Sequence, residues 1–218
     1  LIGVGKYNLP YNVVGLQYLT VEGEKFSKSK KIGIFADDAV SSGIPADYWR
    51  FYLTYLVPET KDTDFLAANF KERVNKELVA NFGNLIHRTL SIVWSKWGGN
   101  VPAVSKKDPK FESQVEIAVA KILSSYEECE LRQALQGTLK LCDLGNRYLN
   151  DAAPWKTDDI NAVAYVLELG RICNVLLSPF IPNLSKQVEG LLNSEDRSLQ
   201  VNCTPVSISQ PQAIFRKI

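Results

Sequence analysis

Hydrophobic residues recur at helical spacing along one long segment, from Asn69 to Trp97. The apolar positions lie about one helical turn apart and are, in order, Phe70, Val74, Leu78, Phe82, Leu85, Val93 and Trp97. A period near 3.6 residues places them on one side of an α-helix. A stripe of that length must be buried, so it predicts a core formed with other helices.

The rest of the second half continues this pattern. We predict helices at about 111–127, 130–151 and 158–178, and a shorter one that starts near Pro182. Residues 158–178 are apolar nearly all round, which is typical of a helix at the centre of a bundle. The sequence therefore predicts a mainly α protein, an antiparallel bundle of about five helices.

A small α/β connector is predicted before the bundle. "VVGLQYLTVEGEKF" predicts a strand, a glycine turn and a loop, and "KIGIFADDAV" predicts a second short strand. A helix then begins near Pro45, with Asp47 in its first turn, and ends before Pro58. We expect three parts, at residues 1–64, 65–195 and 196–218, the last an irregular or strand-like segment that packs back.

Composition excludes several classes of protein. The net charge is +1, so attraction to nucleic acid must come from local patches. The four cysteines form no CxxC pair, which argues against a zinc site and favours buried, reduced thiols of an intracellular protein. No stretch is as long and apolar as a membrane span, and no signal peptide is visible.

Two rare residue types also inform the interpretation. The chain has no methionine, even at position 1, and it opens without a helix cap or strand boundary. We therefore expect a piece of a longer protein. The single histidine is His87, so a mechanism that needs two histidines cannot be supplied by this chain alone.

The lysine loop, "EGEKFSKSKK" at residues 22–31, concentrates positive charge. Within it, residues 25–29 combine two ammonium groups, two hydroxyl groups and Phe26, which can fold inward. Lysine is a mobile point charge that suits phosphate groups. Taken alone the loop is a weak signal, because most lysine-rich stretches are solvated surface.

The surrounding sequence resembles a known family. "KFSKS" is similar to the KMSKS loop of class I aminoacyl-tRNA synthetases, with Phe26 in place of methionine. The stem-contact connector of that family leads into a helix with an Asp-x-x-Arg-x-Tyr pattern, here Asp47, Arg50 and Tyr52. "NKELVANFGNLIHR" and "GNRYLNDAAPWK" resemble the methionyl-tRNA synthetases in particular. The KMSKSLGN continuation of the isoleucine, valine, leucine and cysteine enzymes is missing.

This resemblance implies ATP-dependent attachment of methionine to tRNA(Met) in the cytoplasm. It implies that Lys28 is the main catalytic lysine, that Lys25 supports it in binding ATP, and that Ser27 and Ser29 bind phosphate or hold the loop. ATP would act with Mg²⁺ in the full-length enzyme. The HIGH motif, the methionine pocket and any zinc would lie upstream, so we expect this chain to retain no ATP or zinc and to be inactive alone.

A polar stripe on the 69–97 helix predicts a second site. It consists of Glu77, Asn81, Asn84, Arg88, Ser91 and Ser95. The resemblance implies that Asn84, Arg88, Pro154 and Trp155 recognise the CAU anticodon, with Trp155 as a stacking platform. Asn146 and Arg147 would add weaker backbone contacts. Without the resemblance, a solvated helix face is the more common explanation of the stripe, and the alternative for Trp155 is that it fills a gap between helices.

The remaining conspicuous residues are assigned to structure. His87 is expected at the edge of the helix face, Trp49, Trp94 and Trp97 in packing, and Asp62 and Asp64 in the turn before the 69–97 helix. Three alternative functions stay open. They are the matching part of a cysteine, isoleucine, valine or leucine synthetase, a free-standing tRNA-binding module, and a purely structural bundle.

Overall fold

The predicted mainly α architecture is confirmed in the computed structural model, which describes residue 10 and residues 12–218. The connector contains α1 (Ala36–Ser41) and α2 (Ala46–Tyr55). The bundle is built from α3 (Ala67–Arg73), a π-helix (Val74–Gly83), α4 (Asn84–Trp97), α5 (Pro109–Glu127), α6 (Leu131–Ala152), α7 (Pro154–Thr157), α8 (Ile160–Leu177) and α9 (Pro182–Leu192). The boundaries expected between the three parts stay predictions.

Two small sheets accompany the helices. Strands β1 (Leu19–Val21), β2 (Glu24–Lys25) and β3 (Thr63–Phe65) form one in the order β2-β1-β3, with β1 and β2 antiparallel and β1 and β3 parallel. Strands β4 (Asn100–Val101) and β5 (Val206–Ser207) form the other.

The strand predicted for "KIGIFADDAV" is wrong. Only a bridge between Ser27 and Ile32 remains of it, and the segment continues as α1. The reason is local, because the Asp38 carboxylate accepts the backbone N–H of Phe35 at 2.9 Å and so caps the first turn of α1.

The segment predicted as one helix from Asn69 to Trp97 changes its winding. Residues 74–83 form a π-helix, in which each N–H bonds one residue further back than in an α-helix. Most of the predicted core stripe is buried, although Trp97 is only half-buried. The wider turns alter which side chains share a face, and Asn81, predicted on the polar side, is buried instead.

Helix α8 runs through the centre of the bundle, as its composition predicts. By length and composition alone it could cross a membrane, which corrects the expectation that no such stretch exists, but 78% of it is buried inside the protein. Neighbouring helices approach α8 closely where one of the two helices has a glycine. A Cβ atom at Gly170 would lie 2.9 Å from the Ile86 side chain, so glycine is needed where α8 meets α4.

The connector is clamped to the bundle by α2. The buried Asp47 carboxylate accepts the backbone N–H of Leu184 at 2.7 Å, at the start of α9. Arg50 donates to the carbonyl oxygens of Pro179 and Phe180, just after α8. These contacts explain the Asp-x-x-Arg spacing, since one residue binds the beginning of a helix and the other binds the end of its neighbour.

The last residues lie against the bundle. The Tyr48 hydroxyl donates to the carbonyl of Arg216 at 2.7 Å and accepts its N–H at 2.9 Å. The Asn75 amide makes a similar pair of bonds with the backbone of Ile218. Such paired bonds hold the C-terminal segment in one position against the bundle.

Candidate functional site

Two pairs of polar side chains bridge α4 and α6. Asn84 Nδ2 donates to Asn146 Oδ1 at 3.2 Å, and one turn later Arg88 Nη1 donates to Asn150 Oδ1 at 2.5 Å. Both pairs are spaced four residues apart on their helices, so they lie on facing sides. Asn150 was missed in the sequence, although its i+4 spacing from Asn146 gave the signal.

A glycine allows the two helices to come together here. A Cβ atom at Gly145 would lie 2.8 Å from the Leu169 side chain and 3.0 Å from that of Leu85. The adjacent Asn146 is therefore held deep between the helices. Its amide nitrogen also lies within bonding distance of the Asn81 side-chain oxygen, at 3.0 Å, and of the Asn81 and Cys142 carbonyls, both at 3.2 Å.

This network corrects one expectation. Asn81 is not part of an exposed stripe, because its amide nitrogen donates to the Leu139 carbonyl at 3.0 Å and its oxygen faces Asn146. Asn146 accepts a hydrogen bond from Asn84 and so helps to orient it, while the backbone contacts expected of Asn146 stay a prediction.

Trp155 is placed beside Arg88 by a sharp change of chain direction. Ala153 has a left-handed backbone with φ of 44°, and Pro154 then begins α7 and is buried. Trp155 is left 38% exposed, with Arg88 Cζ 4.5 Å from the centre of its ring. Lys96 of α4 pairs with Asp158 just after α7, which ties the short helix to the bundle.

The structure thus places Asn84, Arg88 and Trp155 on one surface, with the buried Pro154 next to Trp155 in the chain, and we call these four residues the bundle face. It offers an amide, a guanidinium group and an aromatic ring, with the guanidinium already stacked on the ring. These groups can bind a base edge, a phosphate and the flat side of a base, respectively. The arrangement fits an unpaired nucleotide better than a regular duplex.

The lysine loop is supported by the small sheet rather than by the bundle. Residues Glu22 and Gly23 form the turn between β1 and β2, both with positive φ. The Asp64 carboxylate accepts the Gly23 N–H at 3.0 Å and the Thr20 hydroxyl at 2.7 Å. Asp64 therefore holds this turn, and not the turn before α3 as the sequence suggested.

Within the loop, the backbone closes and the side chains stay exposed. Ser27 and Ile32 exchange two backbone hydrogen bonds of 2.9 Å, while the Ser27 and Ser29 hydroxyl oxygens lie 3.2 Å apart. Lys25 and Lys28 are exposed, and no ion pair involves either of them in the described part of the chain. This is a site with available positive charge and two hydroxyl groups.

Phe26 only partly fulfils its predicted role as an inward anchor. It is 49% exposed and packs on Gly33, where a Cβ atom would lie 2.5 Å from its ring. Beneath it is an apolar cavity of about 180 Å³, lined also by Trp49, whose indole N–H is buried without a partner among the described residues. The residues beneath the lysine loop are therefore incompletely packed.

The histidine and tryptophan residues assigned to structural roles can now be placed. His87 is exposed on α4, next to the bundle face, while Trp49 packs against Phe65 and Phe70. Trp94, assigned to packing, is 40% exposed and lies against Gly99, just after α4.

The four cysteines differ in burial. Cys142 and Cys173 are buried neighbours, as predicted, but Cys129 is exposed. Burial, together with Cys173, raises the pKa of the Cys142 thiol, and burial with nearby Glu168 raises the pKa of Cys203 to about 12. Both thiols stay protonated at neutral pH. Residues 12–218 contain no cluster of potential metal ligands.

Comparison with protein families agrees with this geometry. Residues 1–90 match a family described as "tRNA synthetases class I (M)", and residues 100–218 match one described as "Anticodon binding domain of methionyl tRNA ligase". The first match includes the lysine loop and α4 as far as Arg88, and the second includes Pro154 and Trp155.

Individual relatives are similar along nearly the whole chain. The methionine–tRNA ligase of Nanoarchaeum equitans is 36% identical, over 96% of this chain and 27% of the relative. That of Pyrococcus abyssi is 33% identical, over 98% and 31%. The chain therefore spans less than a third of the length of either protein. Methionyl-tRNA synthetase of Mycobacterium tuberculosis, solved with methionyl-adenylate, shares the fold at a TM-score of 0.82 and 21% identity, over 95% of this chain and 44% of that one.

Proposed function

The chain belongs to the methionyl-tRNA synthetases of class I, and on this premise we propose that it is the tRNA-recognising part of an enzyme that joins methionine to tRNA(Met). The work of this chain is then to bind the anticodon and to supply one ATP-binding loop. Its location would be the cytoplasm, where its substrates tRNA(Met), methionine and ATP are found.

The observation that carries anticodon binding is the stacking of Arg88 on Trp155, beside Asn84. Stacking of an unpaired base on an aromatic ring contributes about 1–3 kcal/mol and is insensitive to which base is bound. The directed groups of Asn84 and Arg88 supply the discrimination that stacking lacks. Together they support recognition of the CAU triplet, whose bases are accessible because they lie in a loop.

The direct test is binding of the purified chain to tRNA(Met) transcripts that differ only in the anticodon. We expect CAU to bind best, and each single base change at the triplet to weaken binding. Transcripts with anticodons of cysteine, isoleucine, valine and leucine tRNAs separate the alternatives. Equal binding of all these transcripts would favour a general tRNA-binding module, and no binding would favour a structural bundle.

The residues of the lysine loop fit the triphosphate of ATP. Lys25 and Lys28 are exposed cations, and the paired hydroxyls of Ser27 and Ser29 face the same solvent. ATP, bound with Mg²⁺, would supply the adenylyl group that bonds to the methionine carboxylate, while its β- and γ-phosphates leave as pyrophosphate. The role of Lys28, supported by Lys25, is to bind the charge that grows on those phosphates, and a fixed charge of this kind lowers the barrier.

The chain alone should form no methionyl-adenylate. It contains one histidine, His87, on α4 beside the bundle face, and the HIGH motif of the family needs two. Exchange of labelled pyrophosphate into ATP in the presence of methionine measures this step. Exchange above background from the purified 218-residue chain would contradict the proposal.

A further inference from the structure

A groove opens on the side of Asn84 that faces away from Trp155. It lies between the start of α4 and the last residues of the chain, and its volume is about 320 Å³. That is within the range of about 300–1,000 Å³ typical of pockets for small ligands. Asn84 and His87 form one wall, and Gln212, Phe215 and Lys217 form the other.

The groove is held open by fixed contacts. Phe215 closes against the π-helix at Gly83, where a Cβ atom would lie 2.8 Å from its ring. The same ring meets Phe82 edge-on at 5.4 Å between centroids. The paired backbone bonds at Arg216 and Ile218 hold the residues on both sides of Lys217. The groove therefore exists before any ligand arrives.

Its chemistry suits a nucleotide. Phe215 and Ile214 give an apolar surface for a base, His87 and Gln212 can bond to base edges, and Lys217 can bind a phosphate. None of its lining residues is acidic. By contrast, the groove between α5 and residues 199–201 is lined by Glu112 and Glu116 and by no cation. The charge of the groove beside Asn84 therefore favours a polyanion, whereas the two glutamates of the other groove repel one.

The groove is also continuous with the bundle face. Asn84 belongs to both, because its side-chain amide donates to Asn146 and the residue also lines the groove. His87 and Arg88 follow it by three and four residues on α4, so they diverge to the two sides. A single strand that leaves Arg88 and Trp155 thus reaches the groove by crossing one side chain.

We propose that this groove binds an unpaired nucleotide of the tRNA anticodon loop next to the triplet, with its phosphate at Lys217 and its base at His87 and Phe215. The inference rests on the proposed function, since the triplet is assigned to Trp155. It extends the RNA site beyond the residues that the family resemblance implies.

The test is binding of a hairpin with the tRNA(Met) anticodon stem and loop to variants of the chain. Lys217→Ala should weaken binding about 3- to 10-fold and lower the slope of log affinity against log salt by about 0.7, the value for one lost single-strand phosphate contact. His87→Ala should weaken binding without changing that slope. Lys186→Ala, at an exposed position on α9, is the matched control and should behave as wild type.

Abasic hairpins then locate the nucleotide. At one loop position beside the triplet, removing the base should weaken binding to the wild-type chain about 5-fold or more, as expected for a lost stacking contact. The same change should have no effect on the His87→Ala, Lys217→Ala double variant. Equal losses in both proteins at every loop position would overturn the proposal.

Trp155→Ala separates this inference from the proposed function. If Trp155→Ala weakens binding and the two groove variants do not, the groove proposal is wrong while anticodon recognition stands. If Trp155→Ala has no effect on binding, the proposed function is wrong. Any loss of binding in the two groove variants would then have to come from a part of the RNA other than the anticodon loop.

Discussion

The lysine loop and the bundle face present their charged groups in opposite ways. On the bundle face, Arg88 is stacked on Trp155 and bonded to Asn150 before any ligand is bound. In the loop, the backbone is closed by bonds between Ser27 and Ile32, but the Lys28 side chain is exposed. The charged group of the bundle face is held by other side chains, whereas Lys28 of the loop is exposed to solvent.

The difference follows from what lies underneath. The bundle face rests on α4 and α6, which meet closely at Gly145. The loop rests on a small sheet and an apolar cavity under Phe26, where the Trp49 N–H lacks a partner among the described residues. Recognition of particular bases needs fixed groups, whereas a lysine is a flexible point charge that can bind phosphate oxygens in several orientations. Substitutions at Lys28, Trp155, Asn146, Ser27 and Arg88 test this contrast.

Lys28→Ala should have the largest effect, and only on chemistry. In a full-length enzyme that contains this chain, we expect adenylate formation to slow by about 10²–10³-fold, as when one group that stabilises transition-state charge is lost. Binding of tRNA(Met) should not change, because Lys28 lies in the connector, outside the bundle. Pyrophosphate exchange and a filter-binding assay measure the two. Lys30→Ala is the control, and an equal loss of rate there would show that only total charge matters.

Trp155→Ala should have the converse effect. Loss of one stacked base costs about 1–3 kcal/mol, so binding of tRNA(Met) to the chain should weaken about 5- to 150-fold. Trp155→Phe keeps a ring and should recover most of the affinity. In the full-length enzyme, methionine-dependent pyrophosphate exchange without tRNA should be unchanged. Unaltered tRNA binding by Trp155→Ala would remove the stacking role.

Asn146→Ala and Ser27→Ala compare the supports of the two sites directly. Asn146→Ala leaves the buried Asn81 side-chain oxygen without its bond, which should lower the free energy of unfolding by about 1–3 kcal/mol. Ser27→Ala removes bonds made at the surface and should change it by less than about 0.5 kcal/mol. Urea unfolding followed by circular dichroism measures both. A large loss from Ser27→Ala would mean that the loop is as firmly built as the bundle.

The sequence predicted the bundle well because its signals are local. Periodic apolar residues and proline boundaries define α5, α6, α8 and α9 closely, and the four residues of the bundle face lie together as the resemblance implied. Where prediction failed, distant partners decide the outcome. Asn81 is buried because α6 supplies a carbonyl from Leu139, and no pattern within residues 69–97 records that.

The connector shows the same limit. The roles of Asp47 and Asp64 depend on residues far along the chain, Leu184 in one case and the turn at Gly23 in the other. A carboxylate in a first turn or beside a strand has several local uses, and the sequence cannot choose among them. Likewise, the π-helix follows from how residues 74–83 pack, because helix propensity does not distinguish its winding from that of an α-helix.

Arg88→Lys should have the smallest effect on tRNA binding and is the most specific probe of the fixed arrangement. The charge is kept, but the flat guanidinium group that stacks on Trp155 and bonds to Asn150 is lost. An exposed cation–π contact contributes about 0.5–1 kcal/mol, so tRNA(Met) should bind about 2- to 5-fold more weakly. The salt dependence should stay as in wild type, since the number of charges is unchanged. Lys28→Arg is the matching change in the lysine loop. It should leave the rate nearly intact if mobile charge is sufficient there, and a loss of rate as large as that of Lys28→Ala would show that the loop, too, needs a defined geometry.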